Sequence, residues 1–296
     1  MKSNFFELAE ALIEFLNRLG GRYNRGWRHF LAGGLEMVLG SEHPVLAGSL
    51  IRIAEDHIAE KKYVAAERLL KSVLRAQKAH FREGHSRVAE TLSRLAKLYV
   101  EVGYYRNAEP LLFQALKVRA KVHGMEHPLV ASTLADLGAL YKARGDYVQA
   151  ESFYRKCRNM QERTLGHDHP QVIATLEALA RLYYDQGYFD QAAHLYLRIL
   201  KAQERTLGRS DPALAKSLNN LAVVRVAEGD FEAAEQLYIR AGKISERAWG
   251  PSHPEVLKTL NNLASLYKSQ GEYGKAEPVS AKLNRMRKKA LSAVAR

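Results

Sequence analysis

The chain repeats itself every 42 residues, and this period limits its possible folds more than any other feature. One column of the repeat holds His or Asp followed by Pro in five of six copies, beginning at positions His43, His127, His169, Asp211 and His253. The remaining copy has His85-Ser86, and no residue is inserted or lost between copies. A fixed period in this range is typical of stacked supersecondary units that cannot bury their apolar faces alone.

Each repeat has the pattern of two helices joined by a glycine turn. In the third repeat, residues before the glycine recur at i, i+3, i+4 and i+7, namely Leu134, Leu137, Gly138 and Tyr141. After Gly145 the same spacing returns in Ala150, Phe153, Tyr154 and Cys157. This spacing places each set on one face of a helix, and no segment within a repeat has a strand pattern.

The His-Pro column predicts how each repeat begins. Proline has no N–H, and the first helical turn leaves its N–H groups unpaired, so proline suits the first helical position and the preceding His or Asp suits the cap. We therefore expect helices to begin at Pro128, Pro170, Pro212 and Pro254. In the second repeat Ser86 replaces the proline and is itself an acceptable cap.

The small residues at Gly138, Ala150 and Cys157, with larger ones between them, resemble the packing positions of the tetratricopeptide repeat. The period of 42, with Leu-Asn-Asn-Leu-Ala at 218–222 and 260–264 and Leu-Gly-x-x-His-Pro between repeats, is similar to the kinesin light chain subtype. The resemblance covers about residues 43 to 294. It implies an all-α fold, an α-α superhelix (solenoid) of six helix-turn-helix repeats.

The predicted organisation is one solenoid domain with a distinct segment at each end. Residues 1–42 keep apolar residues at helical spacing, but acidic residues interrupt any signal-peptide core, so we interpret them as a degenerate N-terminal helical cap. A membrane-surface or partner helix is the alternative there. Residues 282–296 carry six basic and no acidic residues and predict a basic C-terminal helix. The six repeats are expected at 43–84, 85–126, 127–168, 169–210, 211–252 and 253–294.

Catalytic, cofactor and membrane signatures are missing from the sequence. It has no P-loop, no dinucleotide-binding glycine turn, no zinc-protease motif and no nucleophile elbow, so we expect neither enzyme activity nor a cofactor. The recurrent histidines lie one repeat apart, whereas a metal site needs several ligands at one point, so we expect no metal. The lone cysteine, Cys157, is interpreted as a packing residue and fits a reducing, cytoplasmic compartment. No segment is apolar for long enough to span a membrane.

The resemblance also implies where a partner would bind, because the first helix of each tetratricopeptide repeat lines the concave groove. Reading the inward positions gives a basic groove with the candidate residues Arg94, Lys97, Lys142, Arg181, Lys216, Asn219, Asn220, Lys258, Asn261, Asn262 and Lys268. In the kinesin light chain repeats the matching Lys and Asn residues face the cargo peptide. A carboxamide can pair with the backbone of an extended peptide, and an ammonium group can meet its carboxylates.

These residues predict a non-catalytic scaffold or adaptor that binds an extended acidic segment of a partner protein. The net charge of +13 at pH 7 also fits a polyanion, so a regulatory scaffold associated with nucleic acid is the first alternative. Nucleic acid is the less favoured partner because nearly all Tyr and Phe residues occupy packing columns and cannot stack on bases. Self-association through the ends of the solenoid is a further alternative.

Overall fold

The computed structural model describes residues 47–81 and 84–294, with side chains described as far as Lys288. The predicted cap at residues 1–42 lies outside this part. The described residues form twelve α-helices and no strand, which confirms the all-α prediction. None of these helices is both long and apolar enough to cross a membrane.

The helices alternate between the first and second helix of each repeat, here called A and B helices. The A helices are α1 (Ala47–Ala59), α3 (Ser86–Glu101), α5 (Pro128–Arg144), α7 (Pro170–Asp185), α9 (Leu214–Glu228) and α11 (Pro254–Ser269). The B helices are α2 (Tyr63–His80), α4 (Tyr105–His123), α6 (Tyr147–Leu165), α8 (Phe189–Leu207), α10 (Phe231–Trp249) and α12 (Tyr273–Val294).

Contacts along the chain group it into two compact units, Met1–Phe153 and Tyr154–Arg296, with the boundary inside α6. In the first unit each helix from α1 to α5 packs on the next, and the A helices α3 and α5 also touch. Small residues allow α3 and α4 to pack closely, because Ala89 and Ala115 are fully buried beside Val88 and Leu92.

The second unit repeats this arrangement. From α7 to α12 each helix packs on the next, and the A helices α9 and α11 are also in contact. Its core includes Ala222, Ala234 and Ala276 around the larger side chains of Tyr238 and Tyr267. The alternation of alanine with bulky residues is what the repeat pattern predicts for helices packed at short range.

The histidine column caps the A helices. In His85, His127, His169 and His253 the ring Nδ1 accepts the backbone N–H two residues further on, at 3.2–3.3 Å. This contact uses one of the N–H groups that a helix start leaves unpaired. The capping interpretation of these histidines is therefore confirmed.

Two predicted helix starts need correction. Pro128, Pro170 and Pro254 do begin their helices, but α9 begins at Leu214, not at Pro212. There Oδ1 of the preceding aspartate, Asp211, accepts the N–H of Ala213 at 2.8 Å, and the chain makes a turn before the helix. The second repeat is capped by His85, so Ser86 is the first helical residue.

The glycine turns between A and B helices need a left-handed backbone. Gly145 and Gly229 end their A helices at φ of 86° and 82°. The first repeat has Lys61 at this position, and it adopts φ of 60° despite its side chain. An L-residue with a Cβ is strained in this region, so the turn of the first repeat is less favourable than the others.

The lone cysteine packs in the interior of the second unit. Cys157 is completely buried on α6, with its Sγ 3.5 Å from the Thr175 hydroxyl. The prediction that this residue fills space between helices is confirmed.

Candidate binding surfaces

In the first unit, two of the predicted groove cations, Arg94 and Lys97, are engaged with acidic residues of the chain itself. Arg94 on α3 forms ion pairs with Glu55 on α1 and with Glu90 one turn earlier, the latter at 2.9 Å. Lys97 pairs with Asp136 on α5 at 3.0 Å. Both residues thus connect successive A helices, and their charges are already balanced.

The predicted residue Lys142 also lies on α5 and is half-buried. It is one position beyond the buried Tyr141, whose hydroxyl donates to Glu109 at 2.5 Å. The structure therefore places Lys142 at the end of α5 next to a contact between helices.

A buried arginine that sequence reasoning missed lies behind these ion pairs. Arg119 on α4 is only 6% exposed and donates to the Thr133 hydroxyl at 2.6 Å and to the Leu129 carbonyl at 3.3 Å. Burial lowers its pKa, and the charges of Asp136 and Glu90 oppose that shift. Burial likewise raises the pKa of Asp136, and Lys97 and Arg119 oppose that shift.

A signal for Arg119 exists in the repeat itself. The equivalent positions one repeat before and after are Gln77 and Gln161, which accept from Thr91 at 2.8 Å and Thr175 at 2.7 Å. A charged residue in a column of buried neutral residues marks an exception to the repeat pattern. Arg119 and its neighbours line a cavity of about 410 Å³ in the first unit.

In the second unit, two of the predicted cations have partners. Lys216 on α9 pairs with Glu177 on α7 at 2.6 Å and therefore joins neighbouring A helices. Arg181 on α7 is exposed, and its guanidinium interacts with the Tyr196 hydroxyl on α8. Burial raises the pKa of Tyr196, and Arg181 partly offsets this shift.

The Asn pair at 219 and 220 divides between the interior and the surface. Asn219 is 2% exposed, and its Nδ2 donates to the Thr259 hydroxyl on α11 at 2.8 Å. Asn220 is half-buried, and its own Nδ2 is a buried atom with no hydrogen-bond partner in the part of the chain that the structure describes. Asn219 thus holds two A helices together, whereas the amide group of Asn220 has unused donors.

The last repeat presents its predicted residues more openly. Lys258, Asn261 and Lys268 on α11 are exposed and Asn262 is half-buried. Within residues 47–81 and 84–294, neither Lys258 nor Lys268 forms an ion pair. We define the A-helix surface of the second unit as the side chains of Arg181, Lys216, Asn220, Lys258, Asn262 and Lys268.

A second basic area lies on a B helix of the same unit. An open cavity of about 700 Å³ on α8 is lined by His194, Leu197, Arg198, Lys201, Glu204, Arg205 and Arg209. Here too several charges are paired, because Arg205 contacts Asp168 and Arg240 contacts Glu204, both at 2.6 Å. We call this area the α8 surface.

Comparison with protein families identifies the repeat. The family described as tetratricopeptide repeat matches residues 87–163, 140–205 and 213–288. Comparison with curated protein sequences gives no significant match.

Solved structures of similar fold include two kinesin light chain-like proteins. One is BtubC (BKLC) from P. vanneervenii, with 25% identity, a TM-score of 0.65 and coverage of 78% of this chain and 91% of that one. Another is a putative kinesin light chain from Podosopora anserina, with nearly identical TPR-like repeats, 26% identity, a TM-score of 0.62 and coverage of 70% and 97%. Aspartyl phosphate phosphatase F from Bacillus subtilis is 12% identical, with a TM-score of 0.62 and coverage of 94% and 80%, and shares the fold alone.

Proposed function

We propose that this chain, which belongs to the tetratricopeptide repeat family, is a non-catalytic adaptor that binds an extended acidic segment of a partner protein. Tetratricopeptide repeats typically serve as scaffolds for protein–protein interaction. The kinesin light chain-like neighbours support the same use of the repeats here. We assign the binding site to the A-helix surface of the second unit.

The observation that carries this assignment is the unused donor of Asn220. A buried amide N–H without a partner costs free energy, so a bound peptide carbonyl that accepts it gains more than at a site already satisfied by the protein. Asn262 is the equivalent residue of the next A helix and offers the same amide group to the same strand of peptide. Two amides one repeat apart suit an extended backbone.

The charges around these amides favour an acidic peptide. Lys258 precedes Asn262 by one helical turn, and Lys268 lies further along the same helix; both are exposed. Exposed ammonium groups that form no ion pair within the described residues attract carboxylates and speed association. In the first unit, by contrast, Arg94 and Lys97 are already neutralised by Glu55, Glu90 and Asp136, so that unit offers less free positive charge.

We also propose a cytoplasmic location for the adaptor. Cys157 is buried and is the single cysteine, so the protein needs no oxidising environment to fold. We therefore place the adaptor in the cytoplasm.

Peptide display tests the proposal. Selection of a random peptide library on the purified chain should enrich sequences with several Asp or Glu residues. A selected peptide resynthesised with Gln and Asn in place of its acidic residues should bind at least several-fold more weakly, because it loses its charge pairs with the lysines. Enrichment of basic or purely apolar peptides would refute the assignment.

The α8 surface supports a second candidate, a polyanion such as nucleic acid. Lys201 and Arg209 line its cavity beside Arg198 and Arg205. A duplex oligonucleotide bound there should be released steeply by salt, and Lys201→Ala with Arg209→Ala should weaken it. If the oligonucleotide binds tightly at physiological salt and acidic peptides do not bind, the second candidate replaces the first.

A further inference from the structure

The cavity of the first unit combines charged side chains with buried polar atoms that have no partner. Its lining includes Glu55, Glu90, Ser93, Arg94, Arg119 and Asp136, which come from α1, α3, α4 and α5. Lys97 at its rim has a side chain that is 60% exposed, so the cavity is open to solvent there. A volume of about 410 Å³ is enough for a small molecule or for one long side chain of a partner.

Four atoms of these lining residues are buried and have no hydrogen-bond partner among the described residues: Ser93 Oγ, Arg94 Nε, Arg119 Nε and Asp136 Oδ2. Ser93 is 4% exposed and Arg119 is 6% exposed. Buried polar groups in folded proteins are nearly always hydrogen-bonded, because an unpaired one loses its interaction with water without replacement. All four atoms belong to residues that line this one cavity, and a ligand that paired with them there would relieve this cost.

The chemistry of that group follows from the four atoms and from the charge around them. Ser93, Arg94 and Arg119 offer hydrogen-bond donors, whereas Asp136 Oδ2 accepts, so the bound group needs both an acceptor oxygen and an N–H or O–H.

The surrounding charges cancel. Three cations (Arg94, Lys97 and Arg119) face three carboxylates (Glu55, Glu90 and Asp136), so a charged ligand would bring an unbalanced charge into the cavity.

We propose that this cavity binds a primary carboxamide. This neutral group carries an acceptor oxygen and an NH₂ donor on the same carbon atom. The carbonyl oxygen accepts from the guanidinium N–H groups of Arg94 and Arg119, and the NH₂ donates to Asp136 Oδ2. The source is the Gln or Asn side chain of a partner segment or a free small amide. The site lies in the first unit and does not depend on the acidic-peptide surface, although its peptide form deepens the adaptor role.

Arg119→Gln is the first variant because neighbouring repeats already accommodate glutamine at the equivalent position. Gln77 and Gln161 occupy the equivalent positions and accept from a threonine at 2.8 and 2.7 Å, and Thr133 offers the same hydroxyl to the substituted side chain. Asp136→Ala is the second variant, since the next repeat has Ala178 at that position. Arg144→Gln is the matched control, because Arg144 lies in the same unit and its ion pairs with Glu109 and Asp146 are outside the cavity.

The probe for the free amide is N-acetylglutamine N-methylamide. Its binding to the full chain is measured by saturation-transfer NMR. The matched glutamate and methionine derivatives keep the side-chain length but lose the carboxamide. The glutamine derivative should bind about fivefold or more tightly than either, and Arg119→Gln and Asp136→Ala should each remove that preference while Arg144→Gln keeps it.

The peptide source is tested by display selection on the full chain, with counter-selection on the Arg119→Gln chain. Enrichment of Gln or Asn at one fixed position, lost with the variant, assigns the site to a partner side chain even if the small derivative does not bind. Binding of the derivative without such enrichment assigns it to a free amide. If neither experiment shows a carboxamide preference that depends on Arg119, water fills the cavity and the proposal is wrong.

Discussion

At the scale of single residues, Asn219 and Asn261 show how position within the array changes the role of one motif. Both are the first Asn of a Leu-Asn-Asn-Leu-Ala segment. Asn219 is covered by α11, where its amide donates to Thr259, whereas Asn261 is exposed. The same residue type therefore contributes to helix packing in one repeat and faces solvent in the next.

This difference predicts unequal costs for the same substitution. Asn219→Ala removes a buried hydrogen bond between two helices and should lower the free energy of unfolding by about 1 kcal/mol. Asn261→Ala changes an exposed side chain and should shift it by about 0.5 kcal/mol or less. Urea unfolding followed by circular dichroism measures both, and equal losses would contradict the buried role of Asn219.

The turn at Lys61 gives a second test at this scale. Lys61→Gly removes the steric strain of a left-handed residue, which costs about 1–2 kcal/mol, but adds flexibility to the unfolded chain. We expect the variant to be as stable as the parent or more so by up to about 1 kcal/mol. The reverse change at the matching turn, Gly145→Lys, should destabilise, and thermal melts of the two variants check the pair. A clear loss of stability in Lys61→Gly would show that the lysine is not strained.

The site residues were only partly predictable at this scale. The repeat pattern identifies which side chains lie on the A helices, because spacing along a helix is regular. It cannot tell which lysines find an acidic partner one repeat away, as Lys216 does with Glu177, because that depends on the packing of neighbouring helices. Asn219 and Asn261 could not be distinguished for the same reason.

At the scale of helices, a tyrosine of the A helix joins it to the preceding B helix. Tyr99, Tyr141 and Tyr267 donate to the glutamates 32 residues earlier, Glu67, Glu109 and Glu235, at 2.8, 2.5 and 2.9 Å. The contact is missing in the fifth repeat, where Arg225 replaces the tyrosine and pairs with Glu228 in its own helix. These hydrogen bonds connect successive repeats at the ends of α3, α5 and α11.

They also make stability depend on alkaline pH. Burial and the hydrogen bond to Glu235 raise the pKa of Tyr267 from 10.0 to about 12. Between these values the folded chain keeps a proton that the unfolded chain has lost, so stability falls as pH rises from about 10 to about 12. Tyr267→Phe should lower the free energy of unfolding slightly at about pH 8. It should also reduce the slope of this free energy against pH, between about pH 10 and 12, by the equivalent of up to one bound proton. Urea unfolding at several pH values measures the slope, and an unchanged slope would contradict the assignment.

Most of the helical architecture could be predicted from the sequence because its causes are local. Glycine at the turns, His-Pro at the junctions and apolar spacing each act within a few residues, and twelve helices in the described residues follow from them. The start of α9 was mispredicted because the N–H groups of Leu214 and Ala215 bond to the carbonyls three residues earlier, those of Asp211 and Pro212, so a tighter turn precedes the regular helix. Arg119 was missed because the candidate binding residues were sought on the A helices, whereas Arg119 lies on the B helix α4.

Across the described repeats, the basic residues differ in whether they are free to bind an acidic partner. The chain carries a net +13, yet Arg94 and Lys97 of the first unit are paired, and exposed unpaired lysines occur on α11 among the described residues. In the proposed complex, the net charge would attract an acidic partner over a distance set by salt, and the amides would determine how the bound peptide is held.

This division predicts how salt acts on peptide binding. Raising the salt concentration from about 50 to about 500 mM should weaken a selected acidic peptide several-fold, mainly through slower association. The same peptide with Gln and Asn in place of its acidic residues should respond little. Stopped-flow or surface-based kinetics separate the association and dissociation rates. If salt weakened binding only by speeding dissociation, the charges would act mainly in the bound complex, which would contradict this prediction.

Calorimetric titration of one selected peptide against four variants tests whether the A-helix surface of the second unit holds an acidic peptide through its amides. Asn220→Ala and Asn262→Ala should each cost about 1–3 kcal/mol of binding free energy, and Lys268→Ala about 1 kcal/mol or less. Asn159→Ala, an exposed asparagine on α6, is the matched control and should leave affinity unchanged. Parent-like affinity in both amide variants, with folding intact, would contradict the account.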